Sequence, residues 1–195
     1  MIPRKTSMTG IVLCGGKSSR MGTNKAFLEV EGGRLIDRVL RVLGRHFEEV
    51  IMVTRTPVDY QDMDAVIVTD MIPDAGVLGG IYTGLFFSSA ENAFVAACDM
   101  PFLDDRFIDH MIRRVKNYDI VVPMTREGFQ PLHAIYSRRC LPEMLRMIER
   151  ATLKVSELFN RRRTLVIRED EINSFTTAGN LFLNINTPDD LTGLS

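Results

Sequence analysis

Short runs of β-branched and apolar residues alternate along the chain with longer stretches of helical period. Residues 10–14, 50–54, 65–69 and 94–98 read as strands, and residues 35–47 and 81–88 read as helices. Strands and helices in alternation imply a parallel sheet covered by helices. In the first helix Leu35, Ile36, Val39, Leu40, Val42, Leu43 and Phe47 form an apolar face, while Arg34, Arg38, Arg41 and Arg45 form a solvated one.

Past residue 99 the pattern continues with a helix over 104–116, a strand over 120–124 and a turn at Glu127 and Gly128. A strand over 131–136 follows so closely that it predicts an antiparallel excursion or hairpin in the wound sheet. Helical patterns over 139–150 and 154–160, a strand over 164–167, and a last short helix opened by Thr187 and Pro188 complete the chain. The expected fold is α/β: a single-domain, Rossmann-like three-layer sandwich over residues 1–195, mostly parallel, with 1–9 as an N-terminal extension. The basic run Arg161, Arg162 and Arg163 reads as a solvated turn before the last strand.

Composition narrows the function classes. With 45% hydrophobic and 25% charged residues, the 195-residue chain is an ordinary globular one. Its 24 basic and 25 acidic side chains leave a net charge of -1, so no global field favours nucleic acid or an anionic membrane, and any phosphate must be held locally. Cys14, Cys98 and Cys140 are an odd number in no zinc-like spacing, which suits free thiols in a reducing compartment. The first residues lack the apolar run of a secretory signal, and no stretch reaches the roughly 20 apolar residues of a bilayer span, so a cytoplasmic location is expected.

The segment after the first strand carries most of the candidate chemistry. It runs Leu13, Cys14, Gly15, Gly16, Lys17, Ser18, Ser19, Arg20, Met21, Gly22, Thr23, Asn24, Lys25. Glycines at 15, 16 and 22 let backbone N–H groups approach an anion, and Arg20 and Lys25 add positive charge, as a triphosphate requires. A Walker loop is excluded because position 11 is Ile rather than Gly, and a dinucleotide fingerprint because its third and sixth places are Lys17 and Arg20.

Two later strands end in carboxylates. Asp70 closes the run from Val66 and is followed by Gly76, Gly79 and Gly80, and it reads either as an acceptor for a nucleoside donor or as a turn residue. Asp99 ends the apolar strand from Phe94 and is followed by Met100 and Pro101, a placement that suits Mg²⁺, which takes one or two carboxylates together with phosphate oxygens. Asp104 and Asp105 read as caps of the next helix. Near the end Asn184 and Asn186, two apart, share one face of an expected strand, although Asn186 or Thr187 also reads as a helix cap.

In this order and spacing the segments resemble the molybdenum cofactor guanylyltransferases over about 180 residues, from Gly10 to Leu191. The resemblance implies transfer of GMP from GTP to the phosphate of molybdopterin, with Mg²⁺ as cofactor and molybdoenzymes or their chaperones as transient partners. It implies that Leu13, Gly15 and Gly16 meet the nucleotide, Arg20 and Lys25 the phosphates, Asp70 the nucleoside, and Asp99 both nucleotide and metal. Arg20, Lys25 and Asp99 then form the catalytic group. The pair Gly15 and Gly16 favours the guanylyl branch, since cytidylyl relatives usually have Ala-Gly there. Gly79, Gln130, His133, Asn184 and Asn186 fall on the acceptor side, His133 being equally readable as a core histidine. The chain departs from the family at Val77 and Gly79, where Pro and Ala are frequent, at Asn24, where Asp is frequent, and at Thr54, where Asn or Ser is frequent.

Overall fold

The computed structural model describes residues 5–15, 25–30, 33–175 and 181–185. Its centre is β1 (Thr6–Cys14), buried from Met8 onward. A strand with no polar face belongs in the middle of a covered parallel sheet. Its alternating side chains divide the core: Val12 and Cys14 pack with α1 (Leu35–His46) and α3 (Asp105–Arg114), while Ile11 and Leu13 pack with α2 (Gly76–Phe87) and α4 (Leu141–Glu149). Helices thus cover both faces, giving three layers.

β1 pairs in parallel with β4 (Phe47–Thr54) and β6 (Asn92–Ala97), and β4 pairs in parallel with β5 (Val66–Thr69). Beyond β6 lie β9 (His133–Ser137), β7 (Ile120–Thr125) and β10 (Thr164–Arg168), so the order is β10-β7-β9-β6-β1-β4-β5. β9 runs antiparallel to both β6 and β7, which is the local excursion expected from the close spacing of strands in the sequence. Two-residue ladders add β2 (Glu29–Val30) with β3 (Gly33–Arg34), and β8 (Gly128–Phe129) with the end of β7. Such ladders are too short to show a period, as is α6 (Glu169–Ile172), whereas α5 (Ser156–Phe159) lies within the helical pattern expected over 154–160.

Three expectations change. β1 begins at Thr6, inside the stretch expected to be an N-terminal extension. α2 begins at Gly76 rather than at residue 81, because packing against β1 outweighs the low helix propensity of its four glycines. Residues 183–185 form no strand: the Ile185 N–H donates to the carbonyl of Asp99 at 2.9 Å, and Ile185 packs against Leu35. The expected helix at Thr187 lies outside the described residues.

Candidate active site

Four neighbouring strand ends form one edge of the sheet, in the order β5, β4, β1, β6. They deliver Asp70, Thr54, Gly15 and Asp99. Adjacent strands lie about 4.8 Å apart, so the end of β5 is roughly 14 Å from that of β6, enough for a nucleoside at one end and its phosphates at the other. The chain passes from β1 to β4 on one side and reaches β6 on the other. The crevice between β1 and β6 is therefore the switch point at which wound sheets bind ligands.

At that crevice Cys98 N–H donates to the Leu13 carbonyl at 3.2 Å, continuing the β1–β6 ladder to its last residues. Gly15 is exposed, and among the described residues a Cβ built on it meets nothing within 4 Å. The Leu13 side chain does not turn to this edge. It is buried and lies so close to α2 that a Cβ on Gly80 would come within 3.1 Å of it. The thiols of Cys14 and Cys98 are hydrogen-bonded; burial, reinforced by that contact, pushes the Cys14 thiol well above its ordinary range.

Asp99 is half-buried in the turn after β6, and its carbonyl is held by Ile185. Among the described residues no group of three or more His, Cys, Asp or Glu side chains forms a metal cage. A Mg²⁺ that shares its coordination with phosphate oxygens and water needs only one or two carboxylates, and Asp99 at a strand end beside the β1 tip fits that donor set.

At the other end of the row, the Asp70 N–H donates to the Thr54 carbonyl at 2.9 Å. Asp70 Oδ1 accepts from Ile72 N–H at 3.1 Å and from the Thr83 hydroxyl at 3.3 Å, while Thr83 Oγ1 accepts from Met71 N–H at 3.1 Å. The carboxylate is thus a turn residue, as one reading of the sequence had it, with one oxygen engaged in the turn. Arg55, the residue after β4, donates to the Pro73 carbonyl and ties the same loop to the strand row. Thr83 was not singled out from the sequence. The signal for it was a hydroxyl in a helix whose other residues are glycine, aliphatic or aromatic.

The acceptor-side residues fare differently. Gln130 lies in the turn ahead of β9, where its side-chain amide reaches Thr125 Oγ1 at 3.4 Å and its carbonyl accepts from His133 N–H at 3.1 Å. β9 is antiparallel to β6, with His133 opposite Ala96, so Gln130 comes to the same sheet edge as Asp99. His133 itself is 0% exposed, its ring boxed by Phe94, Phe107 and Phe182 with centroids at 5.0, 5.6 and 5.2 Å. Burial lowers its pKa to about 3. This corrects the expectation of an acceptor contact in favour of the core reading.

Gly79 is also corrected. It is buried in α2, where a Cβ would stand 2.4 Å from the Ile72 carbonyl, so its glycine serves close packing under the 70–75 loop. Asn184 is exposed in the irregular segment beside Asp99. Gly16, Arg20 and Asn186 lie outside the described residues, and only the backbone of Lys25 is described, at the start of a 3-10 turn. Asp104 caps α3 through Phe107 N–H at 2.9 Å, whereas Asp105 turns away to Arg45 and His46 at 2.7 and 2.8 Å.

A wound sheet with a glycine at its switch point and carboxylates at two strand ends of the same edge suits a nucleotide, and the family comparison gives the class: nucleotidyltransferases. The chain belongs to the MobA-like NTP transferase domain family, whose model matches residues 10–165. It is 37% identical over 187 residues to a molybdenum cofactor guanylyltransferase of Desulfosudis oleivorans, covering 95% of this chain and 93% of that one. It is 35% identical over 201 residues to a probable molybdenum cofactor guanylyltransferase of Methanosarcina mazei, covering 96% and 90%. The crystal structure of molybdopterin-guanine dinucleotide biosynthesis protein A from Archaeoglobus fulgidus matches with a TM-score of 0.79 at 26% identity, covering 95% of this chain and 96% of that one.

Proposed function

We propose that this protein transfers GMP from GTP to the phosphate of molybdopterin, forming molybdopterin guanine dinucleotide and pyrophosphate. The observation that carries this reading is the row of Asp70, Gly15 and Asp99 at one sheet edge, in a chain of this family. In the reaction a phosphate oxygen of molybdopterin forms a bond to the α-phosphorus of GTP while the bond to the oxygen bridging to the β-phosphate breaks. The nucleophile is already anionic, so no strong general base is needed, and the protein's task is to align two anions and offset their repulsion.

The residues divide that task. The tip of β1 at Gly15, continued by Gly16, receives the nucleotide, and Asp70 accepts a donor of the nucleoside. Arg20 and Lys25 stabilise the negative charge of the phosphates. Asp99 holds Mg²⁺, which when bound supplies charge neutralisation at the phosphates. Gln130 and Asn184 come to the same edge near Asp99 and line the acceptor side. Among the described residues no helix is long and apolar enough to cross a membrane, and the three cysteines are free, which supports a reducing cytoplasm as the place of reaction. Product then passes to molybdoenzymes or their chaperones.

The test is pyrophosphate release by the purified protein with molybdopterin and each of GTP, CTP, ATP and UTP. GTP is expected to lead, and Asp99→Ala to slow turnover by about 10²- to 10³-fold. Preference for CTP moves the protein to cytidylyl transfer. Near-normal release by Asp99→Ala removes the metal role.

A further inference from the structure

Thr83 is 0% exposed, in a helix packed tightly on the sheet. A buried hydroxyl costs free energy unless it is hydrogen-bonded, and valine would fill the same volume without that cost. Thr83 uses both of its capacities: it accepts from Met71 N–H and donates to Asp70 Oδ1, the oxygen that also accepts from Ile72 N–H. These bonds fix the plane of the Asp70 carboxylate. Oδ1 is engaged, while Oδ2 accepts no hydrogen bond among the described residues.

The helix holds Thr83 at a defined height. One residue on, a Cβ at Gly84 would come within 2.6 Å of Ile11, and three residues back a Cβ at Gly80 would come within 3.1 Å of Leu13. Both glycines seat α2 directly on β1, the strand whose tip carries Gly15. Thr83 therefore refers the position of Asp70 to the tip of β1, across the intervening strand β4.

We infer that Thr83 is a positioning residue for nucleoside recognition: its hydroxyl orients Asp70 so that Oδ2 alone is presented to an N–H or O–H donor of the nucleoside. This rests on the reading of Asp70 as the nucleoside contact. Because Thr83 reaches the ligand only through Asp70, its loss acts on nucleotide affinity and not on the chemical step.

The experiment measures the Kd of GTP by titration calorimetry, with KM and kcat from pyrophosphate release, in the whole chain. Thr83→Val is expected to weaken GTP roughly three- to tenfold, the usual scale of one lost hydrogen bond, with KM rising and kcat retained. Thr83→Ser is expected to restore affinity to within about twofold, since it keeps the hydroxyl. Thr83→Val added to Asp70→Ala is expected to cause no further loss. An equal loss in the Asp70→Ala background, or no rescue by serine, makes Thr83 a packing residue and overturns the inference. Wild-type affinity in Thr83→Val alongside weakened binding by Asp70→Ala overturns it too, but leaves the nucleoside reading of Asp70 standing. Wild-type affinity in Asp70→Ala removes both. Thr83→Ala runs through the same cycle if the valine variant does not fold.

Discussion

His133 carries two ring nitrogens into a box of phenylalanines, and neither finds a partner among the described residues. Burial holds its pKa near about 3, against an ordinary value of 6.5. Between these values the unfolded chain binds a proton that the folded chain does not. The stability tied to a neutral His133 is therefore complete above pH 6.5 and declines below it, by up to about 1.4 kcal/mol per pH unit. His133→Leu is expected to abolish this decline and to add about 1 to 3 kcal/mol at neutral pH by removing unsatisfied polar atoms. Urea unfolding at pH 5 and 7.5 checks both, and turnover should persist, because the ring does not reach the sheet edge. The sequence alone left this residue open between core and acceptor. Its neighbours in the box come from strand, helix and tail, and only the fold brings Phe94, Phe107 and Phe182 around it. Asp99, by contrast, was readable, since an apolar strand closed by a carboxylate and proline has one natural place at a sheet edge.

α2 shows how an element is fixed by its neighbour. Its glycines are poor helix formers, yet Gly80 and Gly84 allow the helix to lie directly against Leu13 and Ile11 of β1, with Leu78, Ile81 and Leu85 completing the contact. Gly84→Ala would place a methyl 2.6 Å from Ile11 Cγ2, with no flexible end to yield. Overpacking of this kind is expected to lower stability by about 1 to 3 kcal/mol, read as a lower urea midpoint with an unchanged slope. The first turn of α2 was illegible for the same reason: propensity argued against it, and the strand it packs on decided otherwise. The start of α3 was half legible. Asp104 caps as its type and place suggest, while the ion pair of Asp105 with Arg45 depends on α1 lying alongside, which no local pattern records.

At the scale of the molecule, the mostly parallel character of the sheet and its antiparallel excursion were both visible in the spacing of apolar runs, whereas the order of the strands, with β9 between β6 and β7, was not. The proposed nucleotide edge unites strands from distant parts of the chain, so a ligand bound there would steady the whole fold. GTP with Mg²⁺ at about 100 times its Kd is expected to add about 2.7 kcal/mol, or roughly 5 to 10 °C in melting temperature. CTP is expected to give less, and chelation of the metal to reduce the GTP shift. An undiminished shift in chelator would remove the metal from the nucleotide site. β9 has a separate consequence for how the protein is made. It is the strand that joins the site-bearing part of the sheet to β7 and β10, yet it lies about 40 residues after β6 in the chain. At ribosomal speeds of about 5 to 20 residues per second, β6 waits roughly 2 to 8 s for its partner. Through that interval Phe94, Val95, Ala96 and Ala97 present an open backbone edge, a template for mispairing with other nascent chains. A strand that ends at this sheet edge thus has one side unpaired during synthesis, and slower decoding between β6 and β9 lengthens that exposure.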